Sequence, residues 1–336
     1  MKNQIKITSQ IKPFSKSITV SSDKSLSIRA ILLSSIAIGK SKIYNLLESE
    51  DVLNALKVIK KLGVNLKKKK NFYEIYGVGI NGFKLKKEVV LNAGNSGTLA
   101  RCILGICSAI PKKIKLIGDE SLSKRDFSRV IKPLNLFGVN LKSRKNCLPI
   151  EIQGTKFLRP ISYNENIGSA QVKSCIILSA LNTPGTTILK CKKSRNHTEL
   201  MLKFLKYPIN IKNNKNFDTI EVKGLNQIKA FEYDIPGDIS SASFFIVLTL
   251  LSQDSKIILE NVNVNQSRLG IITILNKMGA NIILKKKRLY NGEQIADIYV
   301  KSKKNLISIN CPSKLNSSAI DEFLIIFLVA AKAKGI

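Results

Sequence analysis

The first group of side chains along the sequence that could together bind a charged ligand is that of Lys24, Ser25 and Arg29. They lie at the start of an apolar stretch with helical spacing. Helix N-termini present unpaired N–H groups and the positive end of the helix dipole, so they favour anions. Helix capping alone would require one polar side chain here. Two cations and a hydroxyl on one short turn therefore predict an anion-binding site.

Four further loops open predicted helices in the same way, at residues 92–98, 168–173, 236–243 and 265–268. For each of them, helix capping by Ser, Thr, Asn or Asp remains an alternative interpretation. Glycines in the loop at 92–98 would let backbone N–H groups approach a ligand, and Arg101 follows it closely. None of the loops has the spacing of a Walker A motif. The segment 118–129 could add Arg125, because a guanidinium binds phosphate or carboxylate bidentately.

These loops need a scaffold, and its signal is a repeat of about 70 residues. An amphipathic helix, a glycine and a short strand recur at Gly63, Gly138 and Gly279, with a degenerate copy near Tyr207. Glycine suits a helix end because it adopts the left-handed conformation without a Cβ penalty. With the hairpin that follows and the helix and strand that precede, the unit reads as β-α-β-α-β-β. Four copies fill residues 20–303 and a fifth is incomplete, so we expect the chain to be part of a longer protein.

Composition limits the protein class. The length of 336 residues suggests two domains of about 150 residues each. A hydrophobic content of 44% is too high for a disordered chain. The longest apolar run, 323–331, predicts a buried helix or strand rather than a membrane span. No secretory signal is evident, so a cytoplasmic location is expected.

The net charge of +32 has two interpretations. The lysine patches at 67–70 and 285–287 are predicted to be solvated hairpin tips, with a functional basic surface as the alternative. No zinc-finger, RNA-recognition or basic heptad motif accompanies them.

Cysteine and histidine usage gives no metal-site signal. The six cysteines include no C-x-x-C pair, and His197 is the single histidine. Cys102, Cys107 and Cys175 lie in apolar helical stretches and are predicted to be core residues.

Eight short motifs, each weak alone, occur in one order along the chain. They are Asp23-Lys24-Ser25 with Arg29, 95–98 with Arg101, 118–119 with 124–125, 169–174, 195–199, 236–242, 265–268 and 320–322. In this combination the sequence resembles the 5-enolpyruvylshikimate-3-phosphate (EPSP) synthase family, the 3-phosphoshikimate 1-carboxyvinyltransferases. The resemblance runs from the first loop to residue 336.

The resemblance implies an α/β (α+β), two-domain enolpyruvyl transferase fold built from βαβαββ repeats, with the last repeats missing. It places residues 1–20 and 229–336 in one discontinuous, incomplete domain and residues 21–228, three repeats, in the other. Substrates of the family bind in the cleft between the domains.

The reaction implied by the resemblance moves the enolpyruvyl group of phosphoenolpyruvate to the 5-hydroxyl of shikimate 3-phosphate and releases phosphate. This is a step of aromatic amino acid biosynthesis by the shikimate pathway, and the resemblance implies no metal and no organic cofactor. The implied partners are these two small molecules, with no nucleic acid and no membrane, and the implied state is a monomer.

The resemblance also assigns roles by position. The residues expected to bind shikimate 3-phosphate are Lys24, Ser25, Arg29, Ser169, Gln171, Arg195 and Asp321. Those expected to bind phosphoenolpyruvate are Lys24, Gly97 and Arg125. The expected catalytic residues are Asp321, as general base for the reacting hydroxyl, and Lys24. Capping of the last helix is the alternative role of Asp321.

The sequence departs from the family pattern in several places. Ser21-Ser22 replaces Pro-Gly, Ile28 stands where His is common, and Asp126 follows Arg125 where Pro is usual. Asp126 is expected to weaken the hold of Arg125 on an anion. The family's later Lys-Glu-Ser-Asp-Arg and Asp-His-Arg segments and a further Lys have no counterpart, so the chain alone is expected not to turn over.

Three alternatives remain open. UDP-N-acetylglucosamine enolpyruvyl transferase shares the fold, but its usual catalytic Cys is absent from 118–129. A nucleic-acid-binding protein or relative of RNA 3′-phosphate cyclase would agree with the positive charge. A truncated, non-catalytic fragment would bind shikimate 3-phosphate weakly and release no phosphate.

Overall fold

The computed structural model describes Lys6 and residues 11–335. The chain divides into two compact units. The larger unit comprises Ser22–Pro236 and Tyr290–Glu293, and the smaller comprises Met1–Ser21, Gly237–Leu289 and Gln294–Ile336. The change of unit after Pro236 lies later in the sequence than the expected boundary at residue 228.

The larger unit consists of three βαβαββ copies, as the repeat predicts. The N-terminal strand β1 (Ser15–Thr19) belongs to the smaller unit. The first copy contains α1 (Lys24–Ser35), β2 (Ala37–Tyr44), α2 (Glu50–Lys61), β3 (Asn65–Lys68) and β4 (Phe72–Val78). The second contains β5 (Val89–Asn92), α3 (Gly97–Cys107), β6 (Lys113–Ile117), the short α4 (Glu120–Ser123), α5 (Ser128–Leu136), β7 (Asn140–Ser143) and β8 (Ile150–Gln153). The third contains β9 (Ser162–Glu165), α6 (Ala170–Leu181), β10 (Thr186–Lys192), α7 (His197–Phe204), β11 (Ile209–Asn213) and β12 (Phe217–Lys223).

Each copy forms its own sheet with the same topology. In the orders β5-β6-β8-β7 and β9-β10-β12-β11, the first strand is parallel to the second and a hairpin completes the sheet. The first copy has no preceding strand of its own in this sheet. Two later strands, β13 (Ile228–Lys229) and β14 (Glu232–Asp234), run parallel to β2 instead. This pairing places residues 228–234 in the larger unit.

The smaller unit contains a fourth copy of the repeat. The elements of this copy, besides its first strand, are α8 (Ile239–Leu251), β15 (Lys256–Asn263), α9 (Gly270–Lys277), β16 (Ile283–Tyr290) and β17 (Glu293–Lys301). Helices α10 (Asn316–Ala319) and α11 (Phe323–Ala330) follow it. The sheet order is β1-β15-β17-β16, with β1 parallel to β15. The N-terminal strand thus takes the place of the first strand in this copy.

The glycines of the repeat end helices as expected. Gly63, Gly138 and Gly279 have φ angles of 93°, 95° and 91°. Only glycine adopts this region without strain, so the recurring glycine marks the turn from helix to strand.

The first helix of each copy in the larger unit is buried around most of its circumference. Buried residues of α1, α3 and α6 occupy every side of the helix, because sheets and neighbouring helices surround it. Cys102, Cys107 and Cys175 are fully buried here, which confirms the prediction for them. Burial raises the pKa of the Cys107 thiol to about 12, so this sulfur stays protonated and acts as a small apolar group.

Helix α11 differs from the prediction of a buried segment. Only Ile326 and Val329 are buried, whereas Leu324 is 82% exposed and Phe327 is 58% exposed. The reason is that α11 contacts α8 and α9 on one side. None of the described helices is long and apolar enough to cross a membrane.

The two lysine patches have different settings. Lysines 67–70 are exposed at the end of the β3–β4 hairpin, as predicted. Lysines 285–287 lie within β16 rather than at a hairpin tip, so that prediction is wrong. Strand β16 is at the edge of its sheet, where lysines discourage pairing with another chain.

Candidate functional site

Helix α1 presents the first predicted anion-binding residues. The Asp23 side chain accepts a hydrogen bond from the Leu26 N–H at 2.9 Å and begins the helix at Lys24. Lys24 is half-exposed, and its Nζ lies 3.0 Å from Asp51 Oδ2. Because an exposed ion pair contributes little to stability, Lys24 can exchange this partner for an anionic ligand.

Arg29 lies further along α1 and is only 4% exposed. Its Nε donates to Thr198 Oγ1 at 2.8 Å, its Nη1 to the Ser25 carbonyl at 3.0 Å, and its Nη2 to Ser174 Oγ at 3.0 Å. No ion pair joins this guanidinium to a carboxylate of the described residues. Arg29 is therefore a buried cation whose partners are all neutral.

Gln171 on α6 lies against the start of α3. Its Oε1 accepts from Arg101 Nη1 at 3.0 Å, and its Nε2 donates to Thr98 Oγ1 at 3.1 Å. Arg101 also stacks on the Phe127 ring at 4.6 Å. The predicted residue Gln171 is therefore held between helices α3 and α6.

Gly97 is the first residue of α3, with the Ser96 side chain as its cap. A methyl group at Gly97 would lie 2.9 Å from Arg101 Nη1 and 3.1 Å from Arg125 Nη1. Two guanidinium groups thus face the backbone at the helix N-terminus. Burial, and to a smaller extent the nearby charge of Arg125, lowers the pKa of Arg101.

Asp126 does not neutralise Arg125. The Asp126 carboxylate accepts from the Ser128 N–H at 2.9 Å and from Ser128 Oγ at 2.5 Å, at the start of α5. These hydrogen bonds lower the pKa of Asp126. Arg125 Nη2 donates instead to Asn95 Oδ1 at 2.9 Å, and no carboxylate of the described residues forms an ion pair with it.

The loop before α6 is organised by a buried carboxylate. Glu165 accepts hydrogen bonds from the N–H groups of Ile167, Gly168 and Ser169 at 3.1, 2.7 and 3.2 Å. Ser169 in turn caps α6 through its Oγ. The hydrogen bonds of Glu165 and the cap by Ser169 together fix the backbone at the start of α6.

Arg195 lies in the short stretch before α7 and is half-buried. The first turn of α7 is anchored by Glu199, which forms a fully buried ion pair with Lys173 of α6 at 2.6 Å. This ion pair, together with Thr198, joins α7 to α6. The start of α7 thereby holds Arg195 on the same unit as Arg29.

Helix α6 is the element that brings these side chains together. Gln171 and Ser174 are three residues apart and share one face of the helix. One contacts Arg101 of α3 and the other contacts Arg29 of α1. Five of the predicted residues lie on helices α1, α3 and α6 of the larger unit, namely Lys24, Ser25, Arg29, Gly97 and Gln171. Arg125, between α4 and α5, lies beside Gly97.

Asp321 belongs to the smaller unit. It is exposed and lies in the turn between α10 and α11. The N-cap position of α11 is Glu322, and no side-chain cap is formed there, so the alternative role of Asp321 as helix cap is wrong. The next residue is firmly held, because Glu322 Oε1 accepts from Ser240 Oγ at 2.5 Å and lies 3.8 Å from Arg268.

His197 has a partner unconnected with these anion-binding groups. Its Nδ1 lies 2.7 Å from Glu293 Oε1, and both side chains are almost fully buried. A role for His197 as ligand or catalytic base was not predicted, and this pairing gives none.

Sequence reasoning missed the residues that hold the predicted ones. Ser174 and Thr198 belong to the motifs at 169–174 and 195–199, but nothing in the spacing of these motifs revealed that both residues contact Arg29. The position of Arg101 in the first turn of α3 was predicted, but its contact with Gln171 of α6 was not, because the two residues are 70 positions apart in the chain.

Comparisons with known proteins agree with this architecture. The family described as EPSP synthase (3-phosphoshikimate 1-carboxyvinyltransferase) matches residues 8–336. The 3-phosphoshikimate 1-carboxyvinyltransferase of Ruthia magnifica is 44% identical over 317 residues, which is 94% of this chain and 72% of that protein. The one from Vesicomyosocius okutanii is 45% identical over 314 residues, or 93% of this chain and 71% of that protein.

Solved structures show the same fold. The EPSP synthase of Acinetobacter baumannii aligns with a TM-score of 0.85 and 37% identity, over 96% of this chain and 72% of that one. The enolpyruvyl transferase NikO of Streptomyces tendae aligns with a TM-score of 0.68 at 12% identity, over 96% of this chain and 74% of that one, which shows the fold alone. The fold expected from the repeat and the motifs is confirmed, and the chain belongs to the EPSP synthase family.

Proposed function

We propose that this protein is a transferase that moves the enolpyruvyl group of phosphoenolpyruvate to the 5-hydroxyl of shikimate 3-phosphate and releases phosphate. Membership of the EPSP synthase family supports this reaction. The observation that carries the proposal to this chain is the set of cations at the helix N-termini of the larger unit. Arg29 and Arg125 have no carboxylate partner there, so their charge is available to anionic substrates.

The shikimate 3-phosphate site is proposed to use the α1, α6 and α7 N-termini. Arg29 offers a buried positive charge, and Ser25 and Ser169 offer hydroxyl groups at helix starts. Gln171 offers an amide that Arg101 and Thr98 hold in one orientation. Arg195 would add a second guanidinium, which suits a phosphate because of its bidentate geometry.

The phosphoenolpyruvate site is proposed to lie at the N-terminus of α3. Gly97 leaves the backbone open, and Arg125 stands beside it. Lys24 would contact both substrates after it leaves Asp51. Cations at these places would stabilise the negative charge on the phosphate as it departs.

Asp321 is the proposed general base. The 5-hydroxyl must lose its proton as its oxygen attacks C2 of phosphoenolpyruvate and the methylene carbon gains a proton, and a carboxylate is a suitable acceptor for the hydroxyl proton. Phosphate then leaves the tetrahedral intermediate as the new methyl group loses a proton, which restores the double bond. Asp321 is exposed, whereas its neighbour Glu322 is buried and bound to Ser240, so Asp321 is the one of the two that can reach a ligand. Lys24 is the second proposed catalytic residue, because it would neutralise charge on the phosphoenolpyruvate side.

Two further properties are part of the proposal. The protein is proposed to act as a monomer in the cytoplasm on these two small molecules, without a nucleic-acid or membrane partner. Strong, salt-dependent affinity for polynucleotide would contradict it.

The test is to mix a full-length protein, which joins this chain to the family's later Lys-Glu-Ser-Asp-Arg and Asp-His-Arg segments, with shikimate 3-phosphate and phosphoenolpyruvate and to follow inorganic phosphate and EPSP. We expect release that requires both substrates and falls at least 100-fold in Lys24→Ala, about 2.7 kcal/mol. Lys60→Ala, on the exposed end of α2, is the control and should release phosphate at the wild-type rate. Calorimetric binding of shikimate 3-phosphate without any phosphate release would instead identify a binding protein and refute the transfer reaction.

A further inference from the structure

The donors of Arg29 can be counted. A guanidinium carries five N–H groups. Three of them are used on Thr198 Oγ1, the Ser25 carbonyl and Ser174 Oγ. Two N–H groups, one on each Nη, therefore have no partner among the described residues.

The hydroxyls of Ser174 and Thr198 beside Arg29 can donate and accept hydrogen bonds in only one arrangement. Ser174 Oγ donates its single hydrogen to the Ala170 carbonyl at 2.8 Å. The Ser174 and Thr198 hydroxyls lie 2.7 Å apart, so Thr198 must be the donor between them. Both oxygens then keep lone pairs that accept from Arg29, and neither hydroxyl can turn without losing a bond.

These acceptors orient Arg29 without neutralising it. A carboxylate at either place would satisfy the guanidinium and remove its need for an external anion. A buried charge without a counter-ion is costly, and an anionic ligand recovers that cost when it binds. The neutral partners thus fix the orientation of the guanidinium and leave its positive charge uncompensated, so that an anionic ligand can bind to it.

We propose that Ser174 and Thr198 are positioning residues that hold Arg29 as a charged, pre-oriented anion receptor for the substrate. The statement about the substrate rests on the proposed function, whereas the holding of Arg29 does not. The chain contributes the three parts from helices α1, α6 and α7, so the receptor exists only when these helices are packed together.

The experiment compares Thr198→Val and Ser174→Ala with matched controls. Thr187→Val removes an equally buried hydroxyl that has no hydrogen-bond partner among the described residues, and Ser34→Ala does the same on α1. Thr198→Ser is the rescue, because it keeps the hydroxyl. Thermal melting of every variant gives its Tm. The other measurements are made at a temperature at which all variants are folded.

Two measurements separate the two parts of the proposal. The ¹⁵N NMR signal of the Arg29 Nε–H, assigned with Arg29→Lys, should exchange slowly with water in the wild type and in both controls. It should exchange at least about tenfold faster in Thr198→Val, since the hydrogen bond that protects it is gone. Calorimetry with shikimate 3-phosphate should give a Kd about tenfold higher in Thr198→Val and Ser174→Ala, within twofold of wild type in Thr187→Val and Ser34→Ala, and close to wild type in Thr198→Ser.

Each outcome decides one part. A protected Nε–H that stays protected in Thr198→Val would overturn the holding of Arg29. Faster exchange with unchanged Kd would overturn its importance for the substrate. A wild-type chain that shows the protected signal but binds no shikimate 3-phosphate would overturn the proposed function and leave the holding of Arg29 in place.

Discussion

Two buried arginines, one in each unit, have opposite surroundings. Arg29 of the larger unit is 4% exposed and donates to two hydroxyls and a carbonyl. Arg268 of the smaller unit is 2% exposed, and it forms an ion pair with Asp238 at 3.0 Å and lies 3.8 Å from Glu322. The two guanidinium groups are almost equally buried, but Arg268 has carboxylates beside it and the hydrogen-bond partners of Arg29 are neutral.

The difference separates a structural arginine from a receptor. Arg268 already has its anions, and with Ser240 it ties the start of α8 to the start of α11. Arg29 lacks an anion within its own unit, so a ligand can supply one. A buried cation with neutral partners is therefore a better indicator of an anion site than the presence of arginine alone.

The largest expected effect is on stability, from Arg268→Met. The substitution leaves the carboxylates of Asp238 and Glu322 buried without their cation, which should lower the free energy of unfolding by about 3–5 kcal/mol. Urea denaturation measures it, with Lys277→Met on the exposed face of α9 as the control. A loss below about 1 kcal/mol would show that the Arg268 cluster is not the ion-pair anchor described.

Arg29→Met should have the reverse pattern. Affinity for shikimate 3-phosphate should fall at least 100-fold, about 2.7 kcal/mol, because the charged receptor is lost. The free energy of unfolding should change by only about 1 kcal/mol, since no carboxylate is left without its partner. Calorimetry and urea denaturation on the same sample measure both, with exposed Arg144→Met as the control. Equal loss of stability in Arg29→Met and Arg268→Met would abolish the distinction between the two arginines.

Gly97→Ala should have a smaller effect, mainly on one substrate. The added methyl would crowd Arg101 and Arg125, so these guanidinium groups must shift. In the full-length protein we expect the KM for phosphoenolpyruvate to rise about tenfold, equivalent to about 1.4 kcal/mol. Inhibition by glyphosate, which we propose to bind in the same pocket beside Gly97, should weaken. The Kd for shikimate 3-phosphate in the same variant is the internal comparison and should change less, because a shift of Arg101 reaches that site through Gln171. Unaltered phosphoenolpyruvate kinetics would remove Gly97 from that site.

The smallest effect is expected from Asp126→Asn. Because the carboxylate faces Ser128, its removal should leave phosphoenolpyruvate affinity unchanged, whereas a carboxylate that neutralised Arg125 would give tighter binding when removed. The pKa of Asp126 is lowered in the folded protein, so its contribution to stability is present at neutral pH and is lost as the pH falls through that lowered pKa. Thermal melting of the two proteins between neutral and acidic pH should show a small difference that disappears at low pH.

The sequence predicted well what depends on neighbours along the chain. The helix starts at Lys24, Gly97 and Ala170 follow capping residues, and the glycines at 63, 138 and 279 end helices. These features result from hydrogen bonds and backbone conformations within a few residues, so motif and spacing reveal them. The family and its reaction followed from the order of such motifs.

The prediction of burial for α11 was wrong because apolar character alone does not say which neighbours are present. Helices α6 and α11 are both rich in aliphatic residues. Sheets and helices surround α6, whereas α11 contacts α8 and α9 on one side. Burial is a property of packing, and it depends on elements distant in sequence.

The repeat, the helix N-termini and the cationic side chains near them follow from the amino-acid sequence alone. The tertiary structure decided which of those cations remain unneutralised. Thr198 reaches Arg29 across 169 positions of the chain, and Asp126 turns from Arg125 to Ser128. Charge on a buried side chain depends on the groups that surround it in space, and only the packing of α1, α6 and α7 brings those groups to Arg29.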